Sequence, residues 1–500
     1  MMPKISMCTP RAKERYDNAL SLMRIAEKMT RYGFRVDLAK IAEHRERAMA
    51  RRDRYQKMFC DMTGLPVAAL GAAGEGHTSA IREHFTETLG APDVEFDKKT
   101  KRPQFNNAAL TTYATAYREQ SFGPPAAALI GIRKNGRSVS FCDTYRIFAA
   151  QSATGDRIHF GFNPLGTVTG RWTSSAKVRI DGRTHSCNAQ QIPSKSPEFI
   201  FSGGKPERLV ESLRDIFIAD DGCVLLKADY DQLELRLIAY VYNVTRLLKC
   251  IEDGKDAHIL TASHIFKELG IDPNASKPSK ADVSRDPKLK LLAMARDAAK
   301  PCAYGISYQM HDVRGEGRYP QLTKTLKGIF PAITERMVAK LAENFFATYP
   351  EIKEGQLACK EQVDALGYAE LSIDGRRLYY PATMRGYNQR LNFPMQGTGG
   401  ALCNRALLEI DPQLDWGAGC QVRVQCHDEL LVQAPYKYAA EVKNMLEIAM
   451  SRKAQIGACY AGIPAAADPG FNWGDCKSWE TFCAEHPSLL GSRSKAASAI

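Results

Sequence analysis

Two aspartates stand where strand-like runs of the sequence end, a position from which a carboxylate can project toward a metal ion. Asp229 closes an apolar run that begins at Cys223, and Asp428 follows His427 between two runs of alternating polarity. Mg²⁺ prefers a few carboxylate oxygens and leaves the rest of its coordination shell to water and phosphate. If the two strands are neighbours, the two aspartates can share metal ions. Taken alone, each pattern is more typical of a turn or a helix N-cap.

A second set of side chains repeats at intervals of four residues, at Arg296, Lys300, Tyr304 and Tyr308. Residues with this spacing advance about 40° around a helix axis, so they form one slowly drifting stripe. Two cations and two aromatic rings suit a nucleoside triphosphate, with charges for the phosphates and rings for the sugar and base. The alternative is a solvated amphipathic face. Pro301 disfavours helical geometry at Lys300 and predicts a kink there.

A third set consists of Arg, Asn and Gln side chains, which suit the acceptor-rich minor groove of a base-paired duplex. They fall in three short segments, at Arg171, at Asn188 with Gln190, and at Asn392 with Gln396. Correctly paired bases present similar acceptor patterns in the minor groove, so such side chains can test pairing without reading sequence. Each segment is weak evidence by itself.

These candidates need strands and helices that bring distant segments together. From about residue 155 onward, strand-like and helix-like patterns alternate, whereas residues 11–60 carry helical spacing with many charges. The upstream helices include a basic run over residues 45–57, which is either a solvated helix face or a phosphate contact. Residues 273–290 are polar and predict an irregular break between elements.

Composition narrows the class of protein. The 500 residues carry a formal charge of +12 with 44% hydrophobic and 25% charged side chains, as in an ordinary globular chain with several cores. The positive charge favours a polyanionic partner, because lysine and arginine replace the counterions of nucleic acid. Neither a membrane span nor the apolar core of a signal peptide is present, so we expect a cytoplasmic protein. The 14 cysteines include no CxxC pair, which disfavours a zinc site or a disulfide framework.

The order of these segments carries more information than any one of them. Along the chain stand Thr-Gly-Arg ending at Arg171, Gln-Ile-Pro ending at Pro193, Asp-Tyr-Asp-Gln-Leu-Glu-Leu-Arg beginning at Asp229, Arg-x3-Lys-x3-Tyr-Gly-x2-Tyr beginning at Arg296, Asn-x-Pro-x-Gln-Gly beginning at Asn392, and His-Asp-Glu beginning at His427. This series resembles the motifs of family A DNA polymerases, the bacterial polymerase I type. The resemblance is strongest over residues 160–475 and is looser upstream.

The chain departs from the family's pattern at several places. Asp231 stands where relatives usually have serine, Gln309 stands where they have glycine, and Pro301 is atypical. The insert between Arg171 and Asn188 is longer than in many relatives and is rich in basic residues. These departures leave the expected metal site intact, and they bear on the movement of the fingers and on fidelity.

The resemblance implies an α+β chain with a right-hand polymerase fold, built from an antiparallel-sheet palm, helical fingers and a helical thumb. The implied domains are N-terminal helices and thumb over residues 1–155, palm over residues 156–250 and 388–500, and fingers over residues 251–387. A proofreading 3′–5′ exonuclease domain is not expected, because no strand before the thumb carries an Asp-x-Glu pair.

The resemblance also implies roles for individual side chains. The implied catalytic residues are Asp229, Asp428 and Lys300, and the implied metal ligands are Asp229, Asp428 and the carbonyl of Tyr230. The implied nucleotide contacts are Arg296, Lys300, Tyr304, Tyr308, His258, Glu234 and Gln232. The implied DNA contacts are Arg171, Asn188, Gln190, Arg236, Asn392, Gln396 and His427. Two Mg²⁺ ions, for which Mn²⁺ can substitute, are the implied cofactors.

The implied partners are primer–template DNA and deoxynucleoside triphosphates, with a separate exonuclease or processivity factor as a further candidate. A phage-like role in DNA replication is the expectation by analogy. Two other classes stay open. A single-subunit RNA polymerase shares much of this framework, but Glu234 lies where DNA polymerases keep an acid against the ribose 2′-hydroxyl. A DNA-binding protein without activity is the other, although it has no use for two costly clustered carboxylates.

Overall fold

The computed structural model describes residues 10–71, 78–95, 104–180, 182–194, 198–200, 206–208, 211–308, 319–330, 333–381 and 389–489. Gln309, one of the departures from the family's pattern, lies outside the described residues. The chain combines a helical N-terminal part, a central antiparallel sheet and a helical insertion between two strands of that sheet. This arrangement is the predicted α+β class. Within the described residues, none of the helices has both the length and the apolar character needed to cross a membrane.

The N-terminal part is built on two long helices that pack along each other. Its helices are α1 (Pro10–Tyr32), α2 (Leu38–Thr63), α3 (Ser79–Glu83), α4 (Asn107–Ala116) and α5 (Gly123–Ala149). α2 and α5 share a core that includes Tyr55, Phe59 and Ile130. Gly131 allows close approach, because a Cβ atom at this position would lie 2.6 Å from the ring of Tyr55. The two helices therefore form one firm unit.

Short strands follow these helices. β1 (Phe34–Arg35) pairs with β2 (Arg157–Ile158), and β6 (Glu198–Ile200) pairs with β7 (Pro206–Arg208). β3 (Gly161–Asn163), β4 (Thr173–Ile180) and β5 (Arg183–Cys187) form a three-stranded antiparallel sheet. The long insert between Arg171 and Asn188 is thus a β-hairpin.

The central sheet has the strand order β11 (Gln421–Cys426), β12 (Glu429–Pro435), β8 (Cys223–Tyr230) and β15 (Ala465–Gly470), and the neighbouring strands are antiparallel. Alternate residues of a strand point to opposite faces of the sheet. On β8, Val224, Leu226 and Ala228 enter one hydrophobic core, whereas Cys223 and Leu225 enter another. Because both faces are covered, β8 is apolar up to its acidic end except at Lys227, which is half-buried.

Helices fill the chain between β8 and β11. They are α6 (Leu233–Val241), α7 (Thr245–Glu252), α8 (Ala257–Ile265), α9 (Lys280–Arg285), α10 (Pro287–Ser307), α11 (Pro320–Lys327), α12 (Glu335–Thr348), α13 (Pro350–Leu366) and α14 (Gln389–Ile410), with β9 (Tyr368–Glu370) and β10 (Arg377–Tyr379) paired before α14. After the sheet hairpin come α15 (Ala439–Ser451), β13 (Ala454–Ile456), β14 (Cys459–Ala461) and, beyond β15, α16 (Trp479–Glu485).

Two predictions about the helical insertion are wrong. The polar segment 273–290 contains α9, which begins with a capping box in which Ser279 and Asp282 exchange side-chain and backbone hydrogen bonds. α10 runs through Pro301, and Lys300 keeps helical geometry, while the predicted kink of the helix axis stays a prediction. Proline removes only the hydrogen bond to the carbonyl of Asp297, a residue with an exposed side chain, while the neighbouring face of α10 is buried. Packing therefore outweighs the local cost.

Candidate active site

The two aspartates lie at one corner of the central sheet. In the pairing of β12 with β8, Glu429 stands opposite Asp229, so Asp428 lies one residue beyond that pair. The predicted hairpin is present, with His427 and Asp428 forming its two-residue turn between β11 and β12. His427 has a φ of 59°, the left-handed conformation that tight hairpin turns require. The fold thus places two distant carboxylates side by side.

Negative charge is concentrated at this corner, and neither Asp229 nor Asp428 forms an ion pair with a residue that the structure describes. The surrounding protein desolvates the carboxylate of Asp229, and this raises its pKa from 3.8 to about 6. Asp428 and then Glu429 add to the shift by repulsion, while Lys227 opposes it. A divalent cation between Asp229 and Asp428 would relieve this repulsion, so the electrostatics of the corner fit a metal site.

The protein supplies only part of a coordination shell. In the part of the chain that the structure describes, no group of three or more His, Cys, Asp or Glu side chains forms a ready-made metal site. Asp229, Asp428 and the backbone of Tyr230, the last residue of β8, remain the available donors. Mg²⁺ keeps several waters and takes substrate phosphate as a ligand, so an incomplete protein shell suits this ion.

Glu429 is held by a separate cluster behind the two aspartates. The indole Nε1 of Trp473 donates a hydrogen bond of 2.6 Å to Glu429, and Arg214 lies 3.5 Å from the other carboxylate oxygen. The Arg214 guanidinium also stacks 4.3 Å from the centroid of the Trp473 ring. Burial raises the pKa of Glu429, and Arg214 opposes that shift. This acid is therefore engaged within the protein and supports the corner from behind.

The segment from Asp231 to Arg236, which includes the first turn of α6, carries one ion pair and two half-buried polar side chains. Arg236 donates to Asp231 at 2.7 Å, so the aspartate that departs from the family's pattern ties down a residue expected to contact DNA. Gln232 has a φ of 50°, and its Oε1 is buried without a hydrogen-bond partner among the described residues. Glu234 lies 3.8 Å from Arg171, and burial raises the pKa of Glu234.

On α10, both cations of the stripe already have acidic partners. Arg296 is buried and contacts Asp256 through Nε at 2.9 Å and Nη2 at 2.8 Å. Lys300 donates to Asp297 at 3.1 Å. Asp256 also caps the N-terminus of α8 by accepting from two backbone amides. A triphosphate at this helix would have to compete with Asp256 and Asp297 for the two cations.

The aromatic members of the stripe, Tyr304 and Tyr308, lie near Glu234 of α6, and His258 of α8 lies beside Tyr304. His258 is buried, its ring centroid lies 6.2 Å from that of Tyr304, and burial lowers its pKa from 6.5 to about 4. The imidazole is therefore neutral near pH 7 and adds no positive charge to the stripe. Burial raises the pKa of Tyr304, and Glu234 and Asp428 raise it further. Burial and then Glu234 likewise raise the pKa of Tyr308. These couplings place α6, α10 and the acidic corner around one space.

Two of the residues expected to contact DNA lie next to β11, the strand that leads into the turn at Asp428. The side chain of Asn188 accepts from the amide of Gln190, and Gln190 Nε2 donates to the carbonyls of Trp172 and Gln425, each at 3.1 Å. Asn188 and Gln190 therefore stabilise the junction of the β4–β5 hairpin with β11. Their contacts lie within the protein, and their expected role at DNA stays a prediction.

Three further candidates lie on α14 and at the hairpin turn. Asn392 and Gln396 are one helical turn apart on α14, and both are half-buried. The Oδ1 atom of Asn392 is buried without a hydrogen-bond partner among the described residues. His427 is exposed, and its carbonyl accepts from Gln425 Nε2 at 2.8 Å. α14 is linked to the turn where Cys403 Sγ donates to the carbonyl of His427 at 3.7 Å.

The sequence does not reveal the residues that pair with the charged side chains of the site. Asp256 stands two residues before His258, and an aspartate at the start of a helix is a recognisable N-cap signal. Nothing in the sequence, however, predicts its ion pair with Arg296. No local signal in the sequence connects Trp473 with Glu429 or Arg214.

Comparison with known proteins supports the interpretation of this architecture as a right-hand polymerase fold. An antiparallel sheet with an acidic corner, faced by a helical insertion, is the plan of a right-hand polymerase. The family model for DNA polymerase family A matches residues 72–475. The chain therefore belongs to DNA polymerase family A.

Individual relatives agree with this assignment. The chain is 30% identical over 304 residues to a thermostable DNA polymerase I of Thermus thermophilus, covering 59% of this chain and 30% of the relative. It is 30% identical over 331 residues to DNA polymerase I of Deinococcus radiodurans, covering 64% of this chain and 29% of the relative. The chain thus spans about a third of the length of these curated relatives.

A solved structure shows the same fold. The POL domain of Pol1 from M. smegmatis, in complex with DNA primer-template and dNTP, is similar with a TM-score of 0.69 and 21% identity. The match covers 91% of this chain and 70% of that chain. The predicted right-hand polymerase fold is confirmed by this similarity. The predicted domain boundaries stay predictions.

Proposed function

We propose that this chain is a DNA-directed DNA polymerase that extends a primer 3′ end with deoxynucleoside triphosphates. The observation that carries the proposal is the convergence of four segments on one space. The charge of Asp428 raises the pKa of Asp229 on β8, of Glu234 on α6 and of Tyr304 on α10, and Glu234 also raises the pKa of Tyr304. Membership of DNA polymerase family A supports the same activity.

The acidic corner is the proposed metal site. Asp229 and Asp428, with the Tyr230 carbonyl, would hold two Mg²⁺ ions, and Mn²⁺ can substitute. When bound, such ions lower the pKa of the attacking hydroxyl and neutralise charge on the leaving pyrophosphate. The protein's own contribution is to hold the two carboxylates in register through the β8–β12 pairing. Glu429, fixed by Trp473, supports this corner.

The cations of α10 are the proposed triphosphate contacts. Arg296 and Lys300 would exchange Asp256 and Asp297 for phosphate oxygens, which also form charge-assisted hydrogen bonds with these donors. Lys300 is the more exposed of the two and is the candidate proton donor to pyrophosphate. His258 would act as a neutral hydrogen-bond donor beside them.

The inward-facing side chains are the proposed contacts to the sugar and base. Glu234 would exclude a ribose 2′-hydroxyl, Tyr304 would lie near the sugar 3′ carbon, and Tyr308 would border the templating base. The phenol of Tyr308 is buried without a hydrogen-bond partner among the described residues, as is the Oε1 atom of Gln232. Such unpaired polar atoms are costly in a closed interior, so a site that receives a polar ligand explains them.

Primer–template DNA is the proposed partner along the rim of this space. The side chains proposed to hold its end are Arg171, Asn188, Gln190, Arg236, Asn392, Gln396 and His427. Asn188, Gln190 and Arg236 form internal hydrogen bonds, so they would act by shaping the rim as much as by direct contact. The proposal also includes a phage-like replication role, a cytoplasmic location, and a separate exonuclease or processivity factor as a further partner.

The test is primer extension by the purified protein, supplied with Mg²⁺ and with each nucleotide class in turn. We expect template-directed addition of deoxynucleotides and weak use of ribonucleotides. Preferential use of ribonucleotides would favour an RNA polymerase, and duplex binding without any extension would favour a non-enzymatic protein. A mismatched 3′ end should persist in the same buffer without nucleotides. Metal-dependent shortening of that end would contradict the expected lack of proofreading.

A further inference from the structure

The hairpin formed by β4 and β5, residues 173–187, presents one polar face to solvent and is called the basic hairpin below. Cross-strand neighbours share a face, and Lys177 stands opposite Ser186 while Arg179 stands opposite Thr184. All four are exposed. The opposite face packs Ala176 and Val178 against a hydrophobic core. The orientation of the hairpin is therefore fixed, with Lys177 and Arg179 directed outward, while the exposed Arg183 stands opposite Ile180 on the other face, at the far end of the hairpin.

The exposed cations of the basic hairpin are not neutralised by any residue that the structure describes. Lys177, Arg179 and Arg183 form no ion pair with any residue that the structure describes, whereas Arg47 and Arg51 on α2 both pair with Glu211. The α2 run, predicted as either a solvated face or a phosphate contact, is thus partly neutralised. The basic hairpin keeps its positive charge available for an external anion.

A groove of about 390 Å³ separates the root of the basic hairpin from α5. Its lining residues include the cations Arg137 and Lys177 and the hydroxyl side chains of Ser140, Thr144, Ser174, Ser175 and Ser186. None of the described lining residues is acidic. Cations and hydroxyls without carboxylates are the donor set that proteins use for the phosphate backbone of nucleic acid.

The root of the basic hairpin is anchored beside the active site. Gln190 Nε2 donates to the carbonyl of Gln425, two residues before His427, and Trp172 Nε1 donates to Asn404 of α14 at 2.7 Å. From this root, the eight residues of β4 extend about 23 Å at the rise of a β-strand. That length corresponds to about seven base pairs of duplex at 3.4 Å each.

We propose that the basic hairpin and α5 together hold the phosphate backbone of the duplex behind the primer end, with Lys177, Arg179 and Arg183 as the added contacts. The proposal rests on the proposed polymerase function, because it takes the active site as the end of the duplex. It assigns a purpose to the insert that distinguishes this chain from many relatives. The partner is double-stranded nucleic acid, recognised through its phosphates without base specificity.

The test compares a triple variant, Lys177→Ala with Arg179→Ala and Arg183→Ala, with the unaltered protein in binding to primer–template DNA over a range of salt concentrations. The slope of log affinity against log salt is negative, and each lost phosphate contact reduces its magnitude by about 0.9. We therefore expect the magnitude of the slope to fall by about two to three. Affinity at low salt should fall at least about tenfold. The loss should be full with long duplexes and should shrink as the duplex becomes shorter than about seven base pairs.

Two controls isolate the charge. The charge-retaining variant, Lys177→Arg with Arg179→Lys and Arg183→Lys, should keep the original slope. A matched variant, Arg118→Ala with Lys340→Ala and Lys477→Ala, removes three exposed cations that already pair with carboxylates, and it should leave the slope nearly unchanged. Equal melting temperatures of the two alanine variants would show that both are folded.

The outcomes separate this inference from the proposed function. If the unaltered protein extends primers but the hairpin variant binds duplex with the same slope as the matched control, the inference is overturned and the polymerase assignment stands. If the unaltered protein binds duplex without extending it, the polymerase assignment fails while the slope measurement still decides the role of the hairpin. A deficit of equal size on short and long duplexes would also overturn the inference.

Discussion

The charged side chains of the acidic corner repel each other, whereas those of helix α10 are paired with opposite charges. At the corner, Asp229 and Asp428 repel each other, and the pKa of Asp229 stands at about 6. On α10, Arg296 and Lys300 are each paired with a carboxylate. The two aspartates can thus be neutralised by cations that bind from outside. Arg296 and Lys300 instead pair with internal carboxylates, which a substrate would have to displace. Metal binding should relieve repulsion, and triphosphate binding should exchange one partner for another.

The largest expected effect tests the acidic corner. Asp229→Ala or Asp428→Ala should reduce primer extension by on the order of a thousandfold or more, because the Lewis-acid stabilisation of several kcal/mol is lost. Duplex binding should survive in a filter or anisotropy assay. Asp221→Ala, an exposed acid just before the other end of β8, is the matched control and should extend normally. Near-normal extension by either corner variant would remove the metal assignment.

Glu234 lies between the two regions and should govern the choice of sugar. Its side chain would collide with a ribose 2′-hydroxyl, so Glu234→Ala should raise ribonucleotide use relative to deoxynucleotide by about 10-fold to 100-fold. The ratio of kcat/KM for the two substrates is the measurement. Glu234→Gln keeps the bulk of the side chain and should keep the discrimination. An unchanged ratio in the alanine variant would argue against this role.

Tyr304 tests whether α10 faces the sugar. Its phenol can replace the hydrogen bond that a dideoxynucleotide lacks, so the unaltered protein should accept chain terminators almost as readily as normal substrates. Tyr304→Phe should impose about tenfold discrimination, since an unmatched polar partner costs roughly 1–3 kcal/mol. Tyr308→Phe removes another buried phenol next to the end of α10 and serves as the control. Equal dideoxy-to-deoxy ratios in the Tyr304 variant and the unaltered protein would weaken the placement of this helix.

A smaller effect should follow from releasing Lys300. Asp297→Asn removes its partner without touching the lysine, so the KM for deoxynucleotide should fall about two- to threefold, in line with the modest strength of exposed ion pairs. Lys340 and Glu343 form a pair with the same spacing on α12, which makes Glu343→Gln a matched control. A KM that does not move would indicate that Lys300 does not compete between Asp297 and the triphosphate.

The smallest expected effect is on stability. Because the pKa of Asp229 is raised from 3.8 to about 6, its ionisation disfavours the folded state progressively as pH rises between those values. Asp229→Asn should therefore raise the melting temperature by about 1–2 °C above pH 6 in EDTA, after allowance for solvent screening. The variant and the unaltered protein should melt alike below about pH 4. Added Mg²⁺ should stabilise only the unaltered protein, and a gain that is independent of pH would contradict this account.

Local sequence patterns predicted the parts of the site that depend on one strand or one turn. The apolar run of β8 and the hairpin turn at His427 and Asp428 are visible because side-chain alternation and turn residues are local signals. The neighbourhood of Asp229 and Asp428 needed the motif order as well, since the residues that pair β8 with β12 are far apart in the chain.

The rest of the site depends on tertiary contacts that leave no local signal. The pairing of Arg296 with Asp256 and the hold of Trp473 on Glu429 arise only after folding. Pro301 misled the prediction because burial of one face of α10 outweighs a single missing hydrogen bond. The insert between Arg171 and Asn188 could be recognised as long and basic, but its hairpin form required the structure.

The order of strands in the central sheet has a consequence for synthesis of the protein on the ribosome. β8 emerges early, yet both of its neighbours, β12 and β15, are made only near the end of the described chain. Until then, β8 is an apolar strand with two unpaired edges, which is a template for aggregation. The nascent chain must therefore shield this strand, through its helices or a chaperone, until the last sheet strand has been translated.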